Sequence, residues 1–169
     1  MSKELYLDIK DNKTEYEESL VSIAGFCATY NAKWFGGYAG KVKTKNGTIR
    51  DYYDESVRNI LKQKELLLDV KFINDTFENI EIKNAVIYCD PPYENTTQYG
   101  TSKGFNHQLF WSKVRDWSLN NIVLVSEYNA PDDFAPIFEK IVTTTLDKSS
   151  RKKNTEKLFI HKSLINKLK

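Results

Sequence analysis

Val86-Ile87-Tyr88-Cys89-Asp90-Pro91-Pro92-Tyr93 joins an apolar, β-prone run to an acid, two prolines and an aromatic ring. Such a run reads as a strand of a buried sheet, and open α/β sheets do their chemistry at the carboxyl ends of their strands. The two prolines fix φ and remove two backbone donors, so the chain after Asp90 is a stiff corner whose carbonyls only accept hydrogen bonds. An amino group docked there would meet the Asp90 carboxylate and the Pro91 carbonyl, while Tyr93 offers a flat face to a planar ring. The ligand that suits this corner is an aromatic ring bearing an amine. The competing reading is a proline pair that merely ends a strand, with Tyr93 packed on the surface.

Residues 51–69 carry Val57, Ile60, Leu61, Leu67 and Leu68 at near-helical spacing, which predicts an amphipathic helix. Val70-Lys71-Phe72-Ile73 reads as a short strand, and residues 85–89 as a second one, apolar enough to be buried on both faces. Asn106 suits the cap of a helix with Phe110, Val114 and Trp117 on its inner face. Residues 122–126 form a third strand and a short helix is expected near Pro131. Residues 141–146 and 157–161 read as a closing antiparallel pair around a polar loop at 147–156. The pattern is α/β, and the first twenty residues are charged enough to fray.

With 169 residues the chain has length for one domain with a real core but not for two substantial ones. A net charge of +2 with 28% charged residues predicts neither a nucleic-acid binder nor an enzyme for acidic substrates from bulk electrostatics, so any such signal must be local. Cys27 and Cys89 lie far apart without metal-ligand spacing, which implies no disulfide and no metal. No run of about 18 apolar residues is present and Met-Ser-Lys-Glu-Leu-Tyr has no signal-peptide core, so a cytoplasmic protein without a membrane span is expected.

Residues 25–50 differ in kind. They hold Phe26, Tyr30, Trp34, Phe35 and Tyr38, five glycines, and Lys33, Lys41, Lys43, Lys45 and Arg50 without a single acid. Glycine-rich aromatic loops with basic residues suit phosphate contact and base stacking. The bland alternative is a solvated hairpin whose aromatic rings belong to the core.

At Asp90-Pro91-Pro92-Tyr93 the sequence resembles the Dam-type adenine-specific DNA methyltransferases, whose motif is DPPY. The likeness extends to Phe72-Ile73-Asn74-Asp75, to Glu94-Asn95-Thr96-Thr97-Gln98-Tyr99, to Phe105-Asn106-His107, to residues 125–134, to Thr155-Glu156-Lys157-Leu158-Phe159 and to Lys33-Trp34-Phe35-Gly36-Gly37-Tyr38-Ala39. Together these are similar to a phage and prophage branch of the family. The resemblance implies methyl transfer from S-adenosylmethionine to the exocyclic amine of an adenine flipped out of double-stranded DNA, in a bacterial cell or phage-infected host. It implies a catalytic role for Asp90, Pro91, Pro92 and Tyr93, and cofactor contacts from Asp75, Thr76, Asp90 and Tyr99. It also favours DNA contact by Lys33, Trp34, Tyr38, Lys41, Lys43, Lys45 and Arg50. Asp75 has a competing reading as an Asx-type turn or helix cap; Tyr99 and Phe105 read as rings that close over the cofactor or the target base, and His107 reads as polarity at a helix start. Lys148, Arg151, Lys152 and Lys153 suit phosphate, or only solvent.

The family's amino-terminal Phe-x-Gly-x-Gly loop, and the acid for the ribose after it, have no counterpart here. Gly36, Gly37 and Gly40 do not follow a buried strand. The expected fold is therefore α/β, the carboxyl-terminal portion of a Rossmann-like class I methyltransferase sheet carrying a DNA-recognition insert. Its expected divisions are a charged segment at 1–24, a recognition-like segment at 25–50 and a partial catalytic domain at 51–169. If the first two strands of the usual order are absent, the strand ending at Cys89 lies at an open edge, an association hazard. An amino-terminal methyltransferase fragment is then an expected partner. The alternative is a catalytically inactive remnant that binds DNA or another subunit; RNA or a protein amide is a weaker substrate reading.

Overall fold

The Ser2 side chain accepts the Leu5 N–H at 3.1 Å and so caps α1 (Lys3–Asp11). Three positions apart on that helix, Tyr6 and Ile9 share a face and are buried. They meet Val21 and Ala24 of α2 (Glu18–Cys27), with Ala28 and Phe35 closing the cluster. The amino-terminal residues thus form two packed helices rather than a frayed tail, because their charges fall on the outer face. The computed structural model describes residues 1–94, 96, 102–144 and 152–168, and the chain divides into two compact units, Met1–Phe72 and Ile73–Lys169.

The first unit continues through a short antiparallel hairpin, β1 (Lys41–Lys43) and β2 (Ile49–Asp51), with Lys41 opposite Asp51 and Lys43 opposite Ile49. Gly47 turns it at φ +82°, a left-handed conformation that costs glycine nothing. Asp51 accepts the Asp54 N–H at 3.1 Å and caps α3 (Tyr52–Lys64). The expected helix is therefore present, though it ends at Lys64 and none of its residues is fully buried. The strand expected at residues 70–73 is not formed: the segment is irregular, and Phe72 is 75% exposed. Strand propensity is realised only against a partner, and among the described residues none pairs with it.

The second unit is a mixed α/β layer. β3 (Val86–Cys89) runs parallel to β4 (Ile122–Glu127), with Val86 opposite Ile122 and Cys89 opposite Val125. β6 (Lys152–His161) lies antiparallel to β4, and β5 (Phe134–Thr144) antiparallel to β6, so the sheet order is β3-β4-β6-β5. β5 begins at Phe134, where a short helix is expected from the sequence, and β6 begins well before residue 157. Each strand is longer than its apolar stretch because ladder pairing with the other extends it. The register shifts between Pro136 and Phe138, where proline has no N–H to give the ladder.

α4 (His107–Ser118) joins β3 to β4, and the Asn106 side chain accepts the Leu109 N–H at 2.9 Å as its cap. Phe110, Trp111, Val114 and Trp117 bury one sheet face against Val123, Val125, Phe134 and Phe159, with Ile87 and Cys89 at the margin. Trp117 donates its indole N–H to the Ile80 carbonyl at 3.0 Å, and Asn121, also buried, bonds Ala85 and Ile82. These bonds set the approach to β3. That strand is not buried on both faces as its composition suggests: Val86 is 68% and Tyr88 61% exposed. Among the described residues β3 pairs only with β4 and stands at the sheet edge. Cys27 and Cys89 are free thiols, and burial pushes Cys89 up to about 11.

Candidate active site

Asp90 leaves the carboxyl end of β3 exposed, followed by buried Pro91 and half-buried Pro92 and Tyr93. The acid-Pro-Pro-Tyr corner therefore lies where a parallel pair of strands ends, as its sequence predicts. Neither proline has an N–H, so the acceptors at the corner are carboxylate and carbonyl oxygens. The neighbouring strand secures the corner. The Tyr93 hydroxyl and the Ser126 hydroxyl are 2.5 Å apart, and the Tyr128 ring meets the Tyr93 ring edge to face at a centroid distance of 4.8 Å. Burial pushes the Tyr93 phenol above its ordinary value, with the Ser126 bond opposing it.

Between Ser126 and Tyr128 stands Glu127, 2% exposed. Its Oε1 accepts the Glu94 N–H and its Oε2 the Tyr128 N–H, each at 2.5 Å. Burial pushes this carboxyl upward, while the Glu94, Tyr128 and Asn129 amides and the charge of His107 pull it back. The residue has no signature in the sequence, where a glutamate at a strand end reads as surface charge; only its place in the segment 125–134 marks it.

The other candidates are placed as follows. Asp75 Oδ1 accepts both the Thr76 N–H at 2.7 Å and Asn79 Nδ2 at 2.9 Å, at the start of the single 3₁₀ turn Phe77–Asn79. This is the local capping geometry that competes with a cofactor role. Phe105 packs against Phe77 and Phe110 in the core margin. His107 opens α4 with its ring beside Phe105. Tyr99, Lys148 and Arg151 lie outside the described residues.

In the first unit, Lys33 and Trp34 sit on a loop whose Asn31, Ala32 and Phe35 have φ of 55°, 52° and 44°. Such conformations cost non-glycine residues roughly 1–3 kcal/mol each and persist where the surroundings impose them. Here the Thr29–Tyr38 bridge, the bond from Thr29 Oγ1 to the Gly37 carbonyl at 2.9 Å and the bond from Phe35 N to the Gly25 carbonyl at 3.0 Å close the loop. Trp34 packs between Phe26 and Phe35 and lies so close over Gly25 that a Cβ there would clash, yet it stays 45% exposed. Tyr38 instead serves the core, its ring against Tyr6 and its hydroxyl donating to the Met1 carbonyl at 2.8 Å. Of these two rings, Tyr38 thus belongs to the core margin and Trp34 stays half in solvent.

Lys41, Lys43 and Lys45 are exposed on the β1–β2 hairpin. Arg50 is held differently. It forms a two-pronged ion pair with Glu55, 2.7 Å at its shortest, and lies over the Tyr52 ring at 4.4 Å. The acid missing between residues 25 and 50 comes from one turn into α3, and the Arg50 guanidinium holds the Glu55 carboxyl below its ordinary value.

No described helix is long and apolar enough to cross a membrane. Among the described residues no group of three or more His, Cys, Asp or Glu is arranged to hold a metal ion. The model of one protein family, the D12 class N6 adenine-specific DNA methyltransferases, matches residues 3–123. No curated protein and no solved structure matches the chain.

Proposed function

Because the chain belongs to the D12 class N6 adenine-specific DNA methyltransferases, we propose that its corner at Asp90-Pro91-Pro92-Tyr93 receives an adenine extruded from double-stranded DNA and presents the N6 amine for methylation. The observation that carries this reading is the exposed Asp90 carboxylate beside two donor-free prolines at the carboxyl end of β3. A base's amine is out of reach inside a duplex, so extrusion is required, at a cost of a few kcal/mol. The adenine amine is a poor nucleophile because its lone pair is delocalised into the ring. Hydrogen bonds from its two hydrogens to Asp90 and to the Pro91 carbonyl turn that lone pair out of the ring plane, while Tyr93 stacks on the base. Orientation and electrostatics supply the catalysis.

S-adenosylmethionine, the proposed donor, supplies an electrophilic methyl on a sulfonium centre. The acceptor-only character of the corner fits a cation. For the adenosine end Asp75 and Thr76 remain the proposed contacts, although one Asp75 oxygen is engaged in its own turn. We read the sheet as the carboxyl-terminal half of a Rossmann-like arrangement, because a parallel strand pair carries the corner and β3, which pairs only with β4 among the described residues, has an edge at which a strand bearing a cofactor loop would pair.

Tyr93→Ala is expected to weaken capture of an extruded adenine by about 1–3 kcal/mol, whereas Tyr93→Phe retains most of it. A fluorescent adenine analogue at the target position measures this; equal behaviour of the two variants would show that stacking is not the role of Tyr93.

For the first unit we propose DNA contact through Trp34, Lys33 and the hairpin lysines. The support is a strained, closed loop that keeps a large ring half in solvent, beside a run of exposed lysines whose neighbouring arginine is already partnered. Replacing Lys41, Lys43 and Lys45 together by Gln is expected to weaken DNA binding and to flatten its salt dependence, by roughly 0.9 in the logarithmic slope for each phosphate no longer neutralised. Binding isotherms at several salt concentrations read it, and an unchanged slope would return the hairpin to the solvated reading.

A further inference from the structure

We propose that Glu127 is a positioning residue whose buried carboxylate fixes the Asp90–Tyr93 corner against the end of β4. This rests on the corner being the adenine site, and it adds a residue that does not touch the base.

Pro91 and Pro92 have no N–H, so this stretch has few groups by which the protein can tether its backbone. The Glu94 N–H, immediately after Tyr93, is one of them, and Glu127 takes it at 2.5 Å. The second carboxylate oxygen takes the Tyr128 N–H, so a single side chain ties the segment leaving β3 to the segment leaving β4. A carboxylate is almost never fully buried unless its oxygens are satisfied; here both oxygens are spent on backbone amides at short, charge-assisted distances.

Side chains alternate along a strand, so Glu127 and Ser126 leave β4 on opposite faces of the sheet. Glu127 shares the α4 side with buried Val123 and Val125, and Ser126 reaches the Tyr93 hydroxyl from the other. The corner is gripped from both faces. The chemistry also asks for an acid rather than an amide. Two N–H donors need two acceptor oxygens, and Gln would turn its NH₂ toward one of them. The buried charge is tolerated because these bonds offset the desolvation that pushes its pKa upward.

The test is E127Q, nearly isosteric, in the full chain. In amide NMR spectra the Glu94 and Tyr128 signals are expected to show the largest changes, moving upfield as the charge-assisted bonds are lost, while Val123 and Val125 of the same strand keep their wild-type positions. Unchanged Glu94 and Tyr128 signals, or changes spread evenly over the core, overturn the proposal. Should E127Q fail to fold, the wild-type chain decides. The Glu94 and Tyr128 amide protons must follow the Glu127 carboxyl carbon through its titration, resolved from those of His107, Asp90 and Glu94 and from opposing Lys157; amides that do not follow it overturn the proposal. In methyl transfer, E127Q is expected to lower kcat by about 10- to 100-fold, the scale of a small misplacement, with KM for DNA kept within about twofold. A wild-type kcat in E127Q overturns the positioning role. Methyl transfer is read with residues supplying a cofactor loop provided in cis or in trans; if the wild-type chain so complemented transfers no methyl group, that result counts against the methyltransferase reading, and the amide signals still decide the brace.

Discussion

Asp90→Ala is expected to lower methyl transfer by at least about 10²–10³-fold, the range lost when one preorganised polar group is removed from a reacting centre. The carboxylate is exposed and stands beyond the last residue of β3, so its loss removes an acceptor without opening a cavity in the α4-facing core. The fold should survive, and circular dichroism together with an unchanged melting temperature would establish that. Labelled-methyl incorporation into DNA, with residues supplying a cofactor loop provided in cis or in trans, reads the rate. Turnover within a few fold of wild type in this variant would remove Asp90 from the reaction.

Residues 1–169 by themselves are expected to bind S-adenosylmethionine weakly. We propose that the family's glycine loop and its acid for the ribose have no counterpart in this sequence, which leaves Asp75, Thr76, Asp90 and Tyr99 as the proposed contacts. Two or three absent polar contacts at ~1–3 kcal/mol each cost several kcal/mol, and each 1.4 kcal/mol is tenfold in the dissociation constant. Calorimetry with the chain alone, and again with a peptide or domain that pairs with the side of β3 left open among the described residues, is expected to show recovery by a factor of hundreds or more. Tight binding by the chain alone would mean that Asp75 and its neighbours assemble a more complete site than their sequence suggests.

What was legible in the sequence was local. The corner at residues 90–93 is dictated by its own two prolines, and α4 by the Asn106 cap and the three-to-four-residue spacing of Phe110, Val114 and Trp117. What was not legible depended on partners distant in the chain. β5 begins at Phe134 because β6 lies beside it, while Pro131 and the two acids after it look locally like a helix start. Residues 70–73 have the composition of a strand and, among the described residues, no strand to join. Val86 and Tyr88 are apolar enough for an interior, but composition cannot report whether a covering element is present. Glu127 is the sharpest case: its partner amide at Glu94 is 33 residues away, and no periodicity or motif couples the two. Arg50 shows the same limit from the other side, since its acid lies just outside the stretch whose charge pattern marked it.

The placing of β3 also bears on the order in which the sheet is assembled and released. β5 and β6 are successive strands and can zip together locally, whereas β3 reaches β4 only after the chain through α4 has folded back, a closure that costs more chain entropy. Among the described residues β3 is held on one side only, and such a strand belongs among the elements that open most readily in the native state. Asp90 therefore hangs from the part of the sheet expected to be last secured and first let go. Whatever pairs with that edge would, by mass action, stabilise the closed strand, so that its affinity and the local opening equilibrium of residues 86–93 become one linked quantity.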